Sequence, residues 1–193
     1  MPASRTRFSF DAERLSLDFL STLSNRSSEA AVERLPDAAS LAGWLEAAGQ
    51  GPLAGRVTSA DLALAHRLRE ATFALVDAAM SATTAAADPV DLVNRAAEPT
   101  LPARRLVREP QGVRAARRPL TPREALAAVA RDAIDLLAGD ELSRVRECAA
   151  DDCTGLYLDA SHCRRRRWCS SARCGNRARV SAHRSRARRA TDA

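Results

Sequence analysis

From Asp37 onward apolar residues recur at helical spacing. Leu41, Trp44, Leu45 and Ala48 share one face, and Gly49 and Gly51 end the run. A longer amphipathic stretch runs from about Ser59 to Ala82, its buried stripe carried by Leu62, Ala65, Leu68, Thr72, Leu75, Val76 and Ala79. Asp88 and Pro89 read as an N-cap and first-turn proline, opening a short helix through Asn94. The fullest signal starts at Thr121: an N-cap, then Pro122 in the first turn, then Glu124 as the capping-box acid. Leu126, Val129, Ala130, Ala133 and Leu137 give this helix its apolar face before Gly139 stops it. Nearer the start the period is ambiguous. Leu15, Phe19 and Thr22 suit a helix, whereas Leu15, Leu17 and Phe19 suit a strand; the helix is preferred. RFSF ahead of it reads as a short strand, and the polar interval SNRSSEAAVERLP after it as loop. Residues 101–118 break the helical pattern, two short segments flanking a Pro-Gln-Gly turn, which predicts a β-hairpin.

Length and composition add bounds. The 193 residues, 46% of them hydrophobic, suffice for one medium domain and a small appendage. No run of eighteen apolar residues offers a membrane span, and the N-terminus lacks the continuous apolar stretch of a secretory signal. A cytoplasmic location without membrane contact is the expectation, and there cysteines stay reduced and favour metal over disulfide. Charge is unevenly placed. Residues 144–193 hold thirteen arginines and five acids, a net of +8, while 1–143 hold seventeen and nineteen, a net of −2. The chain has no lysine and is rich in alanine, so arginine is its default basic residue. Its clustering therefore says more than its abundance.

The cysteines lie inside that basic segment. Cys148 and Cys153 enclose four residues, Cys169 and Cys174 enclose four more, and fifteen separate the pairs. Paired thiolates at short spacing are what one tetrahedral zinc ion takes from a chain, and four sulfurs close the coordination sphere against catalysis. The metal then supplies stability that about fifty residues with few apolar side chains cannot find in their own core. After the first knuckle, TGLYLD predicts a short strand; Trp168-Cys169 begins the second half, and Cys174-Gly175 starts a C-terminal helix. That order of knuckle, hairpin and ligand-bearing helix is a treble-clef arrangement. The expected class is thus α+β: a mainly helical N-terminal domain with a small hairpin, residues 1–143, then a treble-clef-like zinc finger, residues 144–193. The boundary near Asp140 to Arg144 leaves almost no linker, so the parts should be mechanically coupled. Cys163, beside His162, has no partner at short spacing and reads as a spare, exposed thiol whose neighbouring arginines favour the reactive thiolate.

Arginines surround the second pair. Arg164, Arg165, Arg166 and Arg167 precede Trp168, and Arg173, Asn176, Arg177, Arg179, Arg184, Arg186 and Arg188 follow it. On a helix from Gly175, Arg177, Arg184 and Arg188 share a face, with Val180 and the stem of Arg184 covering the knuckle. Guanidinium groups grip phosphate or guanine in two-pronged fashion, so these side chains are the candidate nucleic-acid contacts. Trp168 reads as a plug for the small domain rather than a stacking platform.

The words RRWCSSARCGNR, from Arg166 to Arg177, resemble the signature of the CGNR zinc-finger family, and Cys148, Cys153 and LYLDAS match its first knuckle and strand. The preceding residues are similar to an ABATE-type domain, a family associated with stress-induced transcription regulation. The cues are LSLDFLSTL, LREATFALVDA and ALAAVARDAIDLLAG. The resemblance covers nearly the whole chain and implies a bacterial transcription regulator with a zinc-stabilised DNA-binding tail. Ser21 departs from the family, which often has asparagine there. The expected function is a zinc-dependent regulator whose finger contacts duplex DNA while the N-terminal domain senses a small-molecule ligand or forms a homodimer. The alternative is an RNA-binding or protein-docking zinc module of the transcription machinery. Catalysis is not expected. His66, His162 and His183 belong to no nucleophile motif, there is no phosphate-binding glycine loop, and His66 should be partly exposed.

Overall fold

The computed structural model describes residues 8–26, 31–150, 153–181 and 184. The ambiguous first element is a helix, α1, Leu15–Leu20. Ser16 through Leu20 are all buried, which is why no single period marked it. Its N-terminus has no cap of its own. Asp132, far along the chain, accepts from the Ser16 backbone N–H at 2.8 Å and from its hydroxyl at 2.6 Å. RFSF forms no strand over its described residues 8–10; Phe8 is buried and Phe10 packs against the core instead. The interval expected as loop takes part in a two-residue ladder, β1 (Leu23–Ser24), which ends on its first residue, with β2 (Val32–Glu33) inside it. Arg69, 3% exposed, holds it by donating to Glu33 at 2.8 and 2.5 Å and to Thr22 Oγ1 at 3.0 Å.

Helix α2, Ala38–Leu45, is capped by Asp37, which accepts from Ser40 N at 2.7 Å. It continues as a wide helical turn to Gln50, where Gly49 takes φ +77°. Leu41, Trp44 and Leu45 are fully buried, as their spacing predicts. Helix α3, Ser59–Met80, opens on a capping box of Thr58 and Asp61. Helix α4 differs from expectation, running Ala87–Ala97 from an N-cap at Ala86. Asp88 and Pro89 therefore sit inside its first turn, where a missing N–H costs nothing and a carboxylate faces the positive helix end. The hairpin is present, β3 (Arg105–Glu109) against β4 (Gly112–Ala116), closed by the Glu109↔Gly112 pair. Helix α5, Pro122–Ala138, carries the Thr121/Glu124 capping box as read. Its face includes the fully buried Leu136, while Leu137 is only partly buried.

A tight turn, Asp140–Arg144, leads directly into β5 (Val145–Glu147), which pairs antiparallel with β6 (Leu156–Leu158). This hairpin straddles the first cysteine pair, whereas the sequence reading placed it after that pair. The reason is pairing: β6 finds its partner in residues before Cys148, and the two cysteines ride on the connecting loop. Two apolar clusters result. The larger joins α2, α3, α4 and α5 around Trp44, Leu68 and Leu126. The smaller joins Leu17, Leu20, Val76 and Leu136 from the helices to Val145, Leu156, Tyr157 and Leu158 from the β5–β6 hairpin. Leu158 N also donates to Ala12 O at 3.0 Å. The cysteine segment is thus seated on α1 by its own apolar strand.

Candidate metal centre

Cys148 follows β5, Cys153 lies just before β6, and Cys174 is on a wide helical turn, Ser171–Gly175, that continues as helix over 176–181. Backbone bonds fix the loops between. Cys148 N donates to Gly155 O, Cys153 N to Ala150 O, and Ala149 N to Arg167 O, at 2.9, 2.9 and 2.8 Å. The four sulfurs lie within 4.8 Å of one another, with Cys169 at 3.6 Å from both Cys153 and Cys174. Tetrahedral zinc with Zn–S of about 2.3 Å requires S···S separations of about 3.8 Å, so the cage fits one ion. Donors surround it: Gly155 N to Cys153, Cys169 N to Cys148 and Arg177 Nη2 to Cys174, each at 3.4 Å. Such N–H···S contacts spread thiolate charge and orient the ligands.

Two glycines are explained by the cage. A Cβ at Gly155 would meet the Cys153 and Cys169 sulfurs at 3.2 and 3.3 Å, and one at Gly175 would meet the Trp168 ring at 3.3 Å. Crowding also sets the acidities. Cys153 accepts the hydrogen bond of the Cys169 thiol, which outweighs burial and lowers its pKa to about 5. The same bond pushes Cys169 far up. Burial, with the Cys153 thiolate beside it, raises Cys174 to about 11. Four adjacent thiolates repel, and a divalent ion between them turns that repulsion into attraction while releasing the remaining protons. One structural zinc is what the four cysteines are arranged to hold. All four being sulfur, the ion would cross-link the loops and leave no position for a substrate. Cys163 and His162 are exposed and lie outside the cage.

The basic residues divide. Arg166 differs from its neighbours: its side chain is 18% exposed and is engaged by groups of the protein itself. It donates to Trp168 O at 2.9 Å and to Cys169 O and Asp11 O at 2.5 Å, lying 4.6 Å above the Tyr157 ring. A short loop tethered to the segment just before α1 needs a fork of donors there, and sequence cannot distinguish one arginine of four for that role. Arg167 lies over Trp168, and Arg173 contacts Ser9 and Asp11. Arg179 donates to Ser171 O at 3.3 Å. Arg164, Arg165, Arg167, Arg173, Asn176, Arg177, Arg179 and Arg184 are exposed, while Arg186 and Arg188 fall outside the described residues. Val180 is 40% exposed and does not cover the knuckle; Trp168, half-buried against Gly175, does that packing. His66 is partly exposed, as expected, its Nε2 bonded to Leu35 O at 2.9 Å.

Comparison with known families agrees with this geometry. Residues 13–140 match the ABATE family, described as "putative stress-induced transcription regulator", and residues 144–187 match the CGNR zinc finger. No curated protein matches the chain. No helix among the described residues is long and apolar enough to cross a membrane. With the first match spanning most of the chain and the second enclosing the sulfur cage, the protein belongs to the ABATE family and carries a CGNR zinc finger.

Proposed function

We propose that this chain is a zinc-dependent transcription regulator of the cytoplasm that binds duplex DNA through its C-terminal arginines. The observation that carries the reading is the coupling of metal to charge: the cage anchors a helix from which Asn176, Arg177 and Arg179 emerge exposed, and Arg184 further along is exposed too. Arg164 and Arg165 extend the same charge on the preceding loop. Guanidiniums fixed on a rigid mount lose little freedom on gripping phosphates. The N-terminal helices serve to sense a signal or to pair two copies, and no catalytic role is assigned. Zinc-loaded protein titrated onto genomic duplex fragments should bind with a log–log salt slope of about −0.9 per phosphate neutralised. A salt-independent signal, or no binding to any fragment, overturns the reading, and stronger binding to structured RNA in competition reassigns the partner.

A second reading, docking to the transcription machinery, is favoured by the β3–β4 hairpin. Leu106 and Val113 lie on one face of it and are 75% and 68% exposed. Binding to purified RNA polymerase that Leu106→Ser abolishes, with DNA affinity intact, would support it.

A further inference from the structure

The β3–β4 hairpin concentrates a charge that the rest of the N-terminal residues lack. Residues 101–118 hold six arginines and one acid, a net of +5, whereas the remainder of residues 1–143 holds eleven arginines and eighteen acids, a net of −7. A general preference for arginine over lysine does not account for that contrast. Within the hairpin the arginines differ. Arg114 donates to Glu109, the segment's one acid, at 2.6 Å. Arg118 donates to Glu124 at 2.9 and 2.6 Å, and Arg117 ties the base of the hairpin to Gly49 O at 3.0 Å. Arg104, Arg105 and Arg108 are exposed and have no hydrogen-bond or ion-pair partner among the described residues.

Alternation along the strands sorts the two faces. Val107 and Ala116 share one face and are half-buried, so that face is turned toward the protein. The other carries Leu106, Arg108, Val113 and Ala115, all exposed. Leu106 and Val113 are the two most exposed large apolar side chains among the described residues. A protein partner would have to supply a carboxylate for each arginine it covered, and the centres of protein interfaces are poor in charge. Duplex DNA offers phosphates along both walls of a groove and thymine methyl groups on its floor, and its major groove, about 12 Å wide, admits a two-stranded ribbon. We propose that the β3–β4 hairpin is a second DNA contact, its outward face laid along a groove with Leu106 and Val113 toward the base edges. Arg104, Arg105 and Arg108 grip phosphates on its flanks. The hairpin joins the N-terminal end of α5 and the finger follows its C-terminal end, about 25 Å away along the helix axis. This contact rests on the DNA-binding reading and adds to it a site outside the finger.

The zinc-loaded full chain is titrated by fluorescence anisotropy onto its tightest-binding genomic duplex fragment over a series of salt concentrations. The triple variant Arg104→Gln, Arg105→Gln, Arg108→Gln should lower the log–log salt slope by about two to three, at about 0.9 per phosphate contact. Its affinity at low salt should fall at least tenfold, with circular dichroism, zinc content and thermal midpoint unchanged. Leu106→Ser should weaken binding by a smaller factor and leave the slope as it is. A control with the same charge removed elsewhere, Arg56→Gln, Arg67→Gln, Arg95→Gln, all exposed positions, should keep the parent slope. An equal fall in that control would make the effect one of bulk charge and overturn the contact. A triple variant with the parent's slope and affinity would overturn it too, leaving DNA binding by the finger in place. Loss of RNA polymerase binding in Leu106→Ser with DNA affinity intact would give the hairpin to a protein partner instead. No DNA binding by the parent would remove both the hairpin contact and the reading it rests on.

Discussion

At the scale of single residues, position inside the cage matters more than chemical type. Arg165 and Arg166 are adjacent and identical, yet one is exposed and the other ties three backbone carbonyls together. Arg166→Gln should therefore destabilise the finger by about 1–3 kcal/mol, since two part-buried carbonyls lose their charged donor. Arg165→Gln should leave stability unchanged and lower only DNA affinity. Parallel urea melts and binding titrations of the two variants check this; equal effects on stability would contradict it. Gly155→Ala places a methyl group 3.2 Å from a ligand sulfur. Zinc affinity should fall by about tenfold or more in chelator competition, without loss of the β5–β6 pairing.

Among the elements, α1 is held by groups remote in sequence, and one of its own acids is held under strain of solvation. Asp18 is 8% exposed and accepts from Ala12 N at 2.9 Å. Burial first, then the nearby Asp11, Asp132 and Glu13 charges, raise its pKa from 3.8 to about 7. The folded state thus binds a proton that the unfolded state has lost between those values. The contribution of the protonated group is fully present below pH 3.8 and disappears as pH rises through about 7. Asp18→Asn keeps the acceptor for Ala12 and removes the ionisation cost. It should be more stable than the parent at pH 8, with the difference shrinking towards pH 4, as read by denaturant melts at each pH. A constant difference across that range would rule out titration as the cause. The β1–β2 ladder depends likewise on Arg69, whose loss leaves Glu33 without its buried partner. Arg69→Leu should cost about 3 kcal/mol, seen as a lower denaturation midpoint.

For the molecule as a whole, the segment carrying the metal site and the helices meet in one apolar cluster. Leu156, Tyr157 and Leu158 belong to the same apolar cluster as Leu17, Leu20, Val76 and Leu136. Removing zinc should loosen that strand and with it the seat of α1. In a Trp168→Phe background Trp44 is the remaining tryptophan and reports the helical core. Chelator should lower the thermal midpoint reported by Trp44 fluorescence, and added zinc should restore it. A Trp44 transition indifferent to chelator would show that the two regions fold independently.

What the sequence alone determined is local or carried by spacing. The Thr121–Pro122–Glu124 cap, the α2 stripe and the hairpin turn are legible because each depends on residues within a few positions. The ligand cage is legible for a related reason: four like donors in matched pairs have few other uses. Tertiary structure decided the rest. α1 shows no clean period because it is buried on nearly every side, and its cap is Asp132, more than a hundred residues away. The N-cap of α4 lies at Ala86 rather than Asp88 because proline suits several first-turn positions equally. Which arginine turns inward, and that Arg26 is buried over the Phe73 ring, follow only from long-range packing, since burial belongs to the folded surface and not to the residue.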